Sequence, residues 1–140
     1  MTYKSTLAKA IAFAAEKHGE QTTLRGRPYV LHPLRVMQAM DTEEEMVVAV
    51  LHDVVEDTDA TIDDLWWLSD AQIVAISVLT HKNGEPYTDY IEKVAENKLA
   101  TKVKIADLQD NMRVDRLPVF DDRAERRMKK YTKAMERLTR

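Results

Sequence analysis

The chain has 140 residues, no cysteine, 44% hydrophobic and 32% charged residues, and a formal net charge of −3. This composition excludes a disulfide framework, a cysteine-based zinc site and a disordered chain, and the charge gives no reason to expect a nucleic-acid partner. Three glycines and four prolines make about 5% of the chain, against roughly 12% on average. A β-sandwich, a barrel or a doubly wound sheet needs more turn residues, so we expect an all-α, single compact domain over residues 1–140.

The chain shows no apolar run of about 18 residues and no charged-then-apolar leader with a cleavage site. We therefore expect no membrane partner and a cytoplasmic location. Homo-oligomer formation stays open.

Apolar residues at helical spacing predict a series of helices. In chain order they span about 4–18, 32–40, 43–55, 62–68, 70–81, 89–96, 98–113 and 121–138. Gly19 ends the first helix, Pro33 favours the start of the second, Thr61 and Thr88 cap the fourth and sixth, and Pro118 breaks the chain before the last. Either Asp41 or Thr42 caps the third helix, whose first turn is acidic.

The charges are unevenly distributed along the chain. Eleven acidic residues lie within 41–70, whereas 123–140 carries eight basic residues against two acidic ones. One interpretation is a pair of solvated helix faces of opposite sign. The other is that the acidic stretch supplies metal ligands, while the basic tail helps to receive an anionic substrate.

Residues 51–58 bring a histidine and three carboxylates close together. His52 and Asp53 lie in an apolar stretch, where an imidazole and a carboxylate are costly to bury without a partner. If the helix continues to residue 57, Glu56 and Asp57 follow one turn later on the same face. Like charges at that spacing repel each other unless a cation neutralises them, so we predict a divalent metal.

His32 and Asp107 are two further candidate ligands, because each lies among apolar residues. Taken singly, every candidate is more simply a satisfied core histidine or an ion-paired aspartate. Two imidazoles and two carboxylates without sulfur suit manganese or zinc better than copper. The four together favour a metal site in the helical core: His32, His52, Asp53 and Asp107.

The order of these residues resembles the HD superfamily of metal-dependent phosphohydrolases. The phrase His-Asp-Val-Val-Glu-Asp-Thr at 52–58 is typical of one branch. Together with the segments 12–21, 26–33 and 104–113, it resembles the hydrolase domain of Rel/SpoT-type stringent-response enzymes and its stand-alone form, the small alarmone hydrolases. The resemblance covers about residues 7–138.

The resemblance implies an enzyme that removes the 3′-pyrophosphate from (p)ppGpp, giving GDP or GTP and pyrophosphate. It implies manganese as the cofactor, with zinc or another divalent metal as an alternative, held by the four candidate ligands. Glu56 and Asp57 would order and deprotonate the attacking water. The residues implied to contact the substrate are Arg25, Lys104, Asn111, Arg127 and Tyr131.

Other interpretations stay open at this point. The loop before His32 is about two residues shorter than is usual in the family. This leaves an HD phosphohydrolase acting on another nucleotide, such as a 5′-nucleotidase or a dinucleotide phosphatase, as the alternative. Tyr131 is equally well a core residue and Arg127 a solvated charge. A non-catalytic helical module would require a lesion in the site, and the six core positions show none.

Overall fold

The computed structural model describes residues 5–114 and 121–140, which form helices joined by loops. One isolated antiparallel bridge joins Thr22 to Pro28, and no strand occurs among the described residues. The α-helices are α1 (Thr6–His18), α2 (Leu31–Gln38), α3 (Glu43–Leu51), α4 (Val54–Asp57), α5 (Asp70–Leu79), α6 (Tyr87–Ala95), α7 (Lys98–Val114) and α8 (Asp122–Leu138). A 3₁₀ helix, Ile62–Leu65, lies between α4 and α5. The predicted all-α class is confirmed, and none of the described helices is long and apolar enough to cross a membrane.

The C-terminal half of α3 lies at the centre of the fold. Its residues 47–51 are all buried, and all of them are apolar. A helix segment that is apolar all round has to be covered on every side, and α1, α2, α5 and α7 pack against α3. The central helix therefore carries the residues that follow it, His52 and Asp53, into the interior.

The start of α3 is held by a reciprocal pair of hydrogen bonds. Of the two predicted caps, Asp41 and Thr42, the structure uses Thr42. Its hydroxyl accepts from the Glu45 amide at 3.2 Å, and the Glu45 carboxylate accepts from the Thr42 amide at 3.1 Å. This capping box satisfies amides that have no partner within the helix.

The helix predicted for 43–55, with its continuation to 57, is interrupted, so that the prediction of one continuous helix is wrong. Helices α3 and α4 are separate, and His52 lies in the break between them. The His52 ring donates from Nδ1 to the Ala49 carbonyl at 2.6 Å. In a continuous helix that carbonyl accepts from the Asp53 amide, so the imidazole competes with a main-chain bond. The charged side chains of 52–57 therefore do not share one regular helix face.

Two other predicted helices are shorter in the structure. The segment 62–68 contains only a short 3₁₀ helix, although Thr61 caps it as predicted. Helix α5 ends at Leu79 rather than at His81, because Thr80 adopts an extended backbone with a ψ of 107°. Both differences leave more residues in the loops before and after α5.

Thr88 does not cap α6, and this prediction is wrong. The helix begins earlier, because the φ of Pro86 is −58° and its carbonyl accepts from the Tyr90 amide at 3.1 Å. The φ of Pro86 is already close to the helical value, whereas its ψ of 137° leaves it outside the helix as the capping residue. Pro118, the predicted break before the last helix, lies outside the described residues. Helix α8 follows the capping residue Asp121.

The loop between α1 and α2 makes a tight turn. The Thr23 amide donates to the Arg27 carbonyl, and the Gly26 amide donates to the Thr23 carbonyl, both at 2.8 Å. Gly26 has a φ of 77°, which a residue with a side chain rarely adopts. This turn leads the chain into α2 and so positions Tyr29 and the residues after it.

Candidate metal centre and active-site pocket

Two histidines and two aspartates from separate parts of the chain meet in the interior. His32 lies in the first turn of α2, His52 and Asp53 lie between α3 and α4, and Asp107 lies within α7. One candidate ligand atom from each residue lies within 4.8 Å of the others. All four residues predicted as metal ligands are therefore brought together.

Asp107 makes the shortest contact in this cluster. Its Oδ1 lies 2.8 Å from His32 Nε2 and 3.2 Å from His52 Nε2. Asp53 Oδ2 lies 3.1 Å from His52 Nε2 and 3.7 Å from His32 Nε2. Both histidines thus present the same ring nitrogen to the same two carboxylates.

The other ring nitrogen of each histidine faces a fixed acceptor. His32 Nδ1 donates to Asp110 Oδ2 at 2.6 Å, and His52 Nδ1 donates to the Ala49 carbonyl at 2.6 Å. Hydrogen bonds of this kind select the tautomer that carries its proton on Nδ1. In metal sites they hold the ring so that the Nε2 lone pair points at the metal.

The chemistry of this donor set fits a divalent metal. With both Nδ1 atoms protonated, two nitrogen lone pairs face two carboxylates, and such acceptors repel each other unless a proton or a cation joins them. Burial lowers the pKa of His32, but its hydrogen bonds to Asp107 and Asp110 outweigh burial and raise the pKa to about 9. The cluster therefore attracts positive charge strongly. Two imidazoles and two carboxylates suit manganese or zinc.

Two residues of α7 hold Asp107 in place. Lys104 Nζ donates to Asp107 Oδ2 at 2.9 Å, and Asn111 Nδ2 donates to Oδ1 at 3.3 Å. Burial raises the pKa of Asp107, but the positive charges of Lys104 and His52 outweigh burial and hold the pKa well below its usual value. Lys104 and Asn111, which are predicted as substrate contacts, thus also stabilise the ionised form of the central carboxylate.

A pocket of about 200 Å³ opens beside the four-residue cluster, and Glu56 and Asp57 lie on its wall. The Glu56 carboxylate accepts from the His81 amide at 2.7 Å, which fixes its orientation. Burial, followed by the charges of Asp53 and Glu56, raises the pKa of Asp57 to about 6. A carboxylate with a raised pKa is suited to accept a proton near neutral pH.

Tyr29 links the four-residue cluster to Asp57. Its hydroxyl donates to Asp53 Oδ2 at 2.6 Å and lies 3.4 Å from Asp57 Oδ2. Burial, followed by the charge of Asp53, raises the pKa of Tyr29, so that the hydroxyl stays protonated. Its single proton lies between two carboxylates that would otherwise repel each other directly.

The five residues predicted to contact the substrate do not all reach this pocket. Lys104, Asn111 and Tyr131 line it, whereas Arg127 on α8 is not among its lining residues within the described ranges. Arg25 lines a separate cleft of about 350 Å³. That second cleft is also lined by Arg27, Arg35, Asp110 and Arg113.

Two residues of the site, Asp110 and Tyr29, are not predicted from the sequence. Asp110 lies one turn after Asp107 on the same helix, so the helical spacing between the two could have predicted its place in the site. Tyr29 lies in a loop, where no periodicity indicates which side chains point inward. Its place in the site follows from the turn that precedes α2.

The chain is similar to proteins named as pyrophosphohydrolases, although no family model matches it. It is 33% identical over 140 residues to guanosine-3′,5′-bis(diphosphate) 3′-pyrophosphohydrolase of Aquifex aeolicus, which covers 90% of this chain and 20% of that protein. It is 39% identical over 69 residues to guanosine-3′,5′-bis(diphosphate) 3′-pyrophosphohydrolase MESH1 of Danio rerio, covering 44% of this chain and 38% of that protein. The chain thus spans about a fifth of the length of the Aquifex relative.

One solved structure matches almost the whole chain. It is described as a metazoan orthologue of SpoT that hydrolyses ppGpp. The TM-score is 0.84 at 27% sequence identity, and the match covers 99% of this chain and 88% of that one. The likeness therefore extends from the short motifs to the complete arrangement of helices.

Proposed function

We propose that this chain, a homologue of the Rel/SpoT-type HD hydrolases, removes the 3′-pyrophosphate from (p)ppGpp and releases GDP or GTP and pyrophosphate. The observation that carries the proposal is the convergence of the four predicted ligands beside Glu56 and Asp57. The names of the relatives favour this activity over a phosphohydrolase for another nucleotide.

The proposed cofactor is manganese. Two nitrogens and two carboxylate oxygens accommodate it, and they also accommodate zinc or another divalent ion. Such an ion, when bound, supplies a Lewis acid that lowers the pKa of water and offsets phosphate charge. The residues that would hold it are His32, His52, Asp53 and Asp107.

Glu56 and Asp57 have the proposed roles of ordering and deprotonating the attacking water. Since the pKa of Asp57 is about 6, this carboxylate is ionised at pH 7 and still basic enough to take a proton. The hydrogen bond from the His81 amide keeps Glu56 at the pocket wall. A bond forms between the water oxygen and the 3′-phosphorus, while the bond from that phosphorus to the ribose 3′-oxygen breaks. The proton that Asp57 takes from the water balances the one that the 3′-oxygen takes up, so GDP or GTP leaves with a 3′-hydroxyl.

Three residues inside the pocket are proposed to contact the reacting phosphates and ribose: Lys104, Asn111 and Tyr131. Burial lowers the pKa of Lys104, but the charge of Asp107 outweighs burial and raises the pKa well above its usual value. Lys104 is therefore a permanent cation beside the place where phosphate charge arrives. Arg25 and Arg127 are proposed to contact the substrate farther from the reacting bond.

Incubation of the purified chain with ppGpp and a panel of other nucleotides, with and without manganese, tests the proposed function. We expect pyrophosphate and GDP from ppGpp, and only when a divalent metal is present. Release of orthophosphate, or faster turnover of another nucleotide, would contradict the proposal. Parallel reactions with zinc and magnesium decide which metal supports turnover.

The composition also bears on domain organisation, location and oligomeric state. We propose that residues 1–140 act as one domain, which the packing of four helices around α3 supports. A cytoplasmic location accords with a small nucleotide as the substrate. Homo-oligomer formation stays open, and sedimentation of the purified chain measures it directly.

A further inference from the structure

A cleft of about 510 Å³ lies between α6 and α8, beside the pocket that holds the predicted ligands. This volume is within the usual range for small-molecule sites. Tyr87 and Ile91 of α6 and Ala134 of α8 contribute apolar surface. The other α8 residues that line it are all basic, so the cleft combines a mainly apolar surface with basic side chains.

Five basic residues line this cleft, and Glu92 is the one acidic residue among its lining. Two of the five have acidic partners, since Arg137 Nε lies 2.6 Å from Glu92 and Lys129 Nζ lies 3.8 Å from Glu125. The other three form no ion pair with a carboxylate within residues 5–114 and 121–140: Arg126, Lys130 and Lys133.

The position of these cations separates the two interpretations of the basic tail. On a merely solvated helix face, the charges would point away from the protein on a convex surface. Here Arg126, Lys130 and Lys133 instead line one concave surface together with apolar residues. A concave surface of one sign concentrates the field and attracts an ion of the opposite sign.

The cleft adjoins the pocket of about 200 Å³ beside the four predicted ligands, which is the proposed active-site pocket. Tyr87 and Lys130 line both cavities. Lys130 Nζ lies 4.1 Å from the centroid of the Tyr87 ring, at this junction. Burial, followed by the charge of Lys104, lowers the pKa of Lys130. The ammonium groups of Lys104 and Lys130 therefore repel each other where the two cavities meet. An anion that spans the junction relieves this repulsion.

We propose that the cleft between α6 and α8 binds the 5′-polyphosphate of the substrate while the 3′-pyrophosphate lies in the active-site pocket. The inference rests on the proposed function, since a nucleotide that is cleaved at its 3′ side presents its 5′-phosphates at a distance from the reacting bond. Phosphate oxygens are strong acceptors for lysine and arginine. The three cations without acidic partners offer that recognition.

The cleft that contains Arg25 carries a comparable charge but lies apart from the active-site pocket. Its single carboxylate, Asp110, is paired with Arg35, as Glu92 is paired with Arg137. None of the described residues that line it also lines the active-site pocket, whereas Tyr87 and Lys130 line both that pocket and the cleft between α6 and α8. Of these two clefts, the one between α6 and α8 is therefore the one that adjoins the place of the reacting phosphate.

Three guanosine nucleotides with the same 3′-diphosphate and one, two or three 5′-phosphates test the proposal. With the unmodified chain and manganese, we expect KM to fall with each added 5′-phosphate, while kcat changes by less than about twofold. In the double variant Arg126→Ala/Lys133→Ala we expect KM for the 5′-triphosphate substrate to rise about tenfold, because one exposed ion pair accounts for up to roughly fivefold in affinity. KM for the 5′-monophosphate substrate should change little.

A control variant accompanies this series. Arg123→Ala removes a cation from α8 outside the cleft, so it should leave the KM series as in the unmodified chain. Equal effects of the double variant on all three substrates would overturn the proposal, as would a KM that is independent of the 5′-phosphates. If the double variant sediments differently from the unmodified chain but gives the same KM values, the proposal is also overturned, and the cleft is assigned to an interface between two copies. If the unmodified chain hydrolyses none of the three nucleotides, the proposed function itself fails.

Discussion

His32 Nδ1 donates to Asp110 Oδ2 at 2.6 Å, and this bond orients the imidazole so that Nε2 faces the other predicted ligands. Arg35 binds both oxygens of the same carboxylate, at 2.7 and 3.0 Å. Burial raises the pKa of Asp110, but the hydrogen bonds from His32 and Arg35 outweigh burial and lower the pKa to about 2. The carboxylate is therefore ionised, and an ionised partner makes an imidazole a better metal ligand.

The variant Asp110→Asn is expected to bind manganese about ten- to hundredfold more weakly, which is typical for loss of a partner behind a metal-bound histidine. Calorimetric titration of the metal-free protein measures the dissociation constant. Gln109→Ala, an exposed neighbour on α7, serves as the control and should bind as tightly as the unmodified chain. Unchanged affinity in Asp110→Asn would mean that other contacts orient His32.

Manganese is expected to stabilise the folded chain, because a ligand that binds only the folded state lowers its free energy. At a free concentration of a hundred times the dissociation constant, the gain is about 2.7 kcal/mol. Urea unfolding with and without manganese measures it. Asp53→Ala should abolish the gain, whereas Asp63→Ala, an exposed residue of the 3₁₀ helix, should keep it. An equal gain in both variants would place the metal elsewhere.

Glu56→Gln is expected to retain the metal and to lose turnover. The side chain is not one of the four predicted ligands, but it lies at the pocket wall beside them. Loss of a carboxylate that orders the attacking water or takes its proton typically costs about 10²- to 10⁴-fold in rate. Metal content per chain and the rate of ppGpp hydrolysis are measured on the same sample, with the exposed α1 variant Glu16→Gln as the control. Full activity in Glu56→Gln would remove this residue from the chemistry.

Tyr29→Phe removes the hydroxyl that lies between Asp53 and Asp57. We expect kcat to fall roughly ten- to hundredfold, since a hydrogen bond to a charged group contributes about 1.5–3 kcal/mol. Manganese affinity should be retained, because the hydroxyl is not a predicted ligand. Tyr87→Phe is the control, since it removes a hydroxyl from the same pocket without touching either carboxylate. If kcat is unchanged in Tyr29→Phe, the hydroxyl does not position Asp57.

Leu51→Ala is expected to lower the free energy of unfolding by about 2–5 kcal/mol, because it leaves a cavity in the core. Leu51 is fully buried at the end of α3, directly before His52. Val74 on α5 is 52% exposed, so Val74→Ala should change the stability by less than about 0.5 kcal/mol. Urea denaturation compares the two variants. A small loss in Leu51→Ala would contradict the central position of α3.

In residues 51–58, some features of the site could be predicted from the sequence and others could not. His52 and Asp53 are recognisable because polar residues in an apolar stretch need a partner. The break after α3 is not recognisable, because it depends on a bond between the His52 ring and a carbonyl in the preceding turn. Helical spacing alone therefore places Glu56 and Asp57 on a face that the real chain does not form.

The cleft between α6 and α8 is a second example. The basic character of 123–140 is visible in the sequence, but the two interpretations of it differ only in where the charges point. That direction depends on how α8 packs against α6 and α7. The cations become a candidate site only because the packing leaves them around one cavity.

The sequence by itself determined the helical class and the four candidate ligands, because periodicity and the placing of polar residues among apolar ones can be read locally along the chain. Only the tertiary structure decided that these ligands meet, that both histidines present Nε2, and that Asp110 and Tyr29 complete the site. The physical reason is sequence distance. His32 contacts Asp107 and Asp110 across 75 and 78 residues of chain, and such contacts form only when α2 packs against α7.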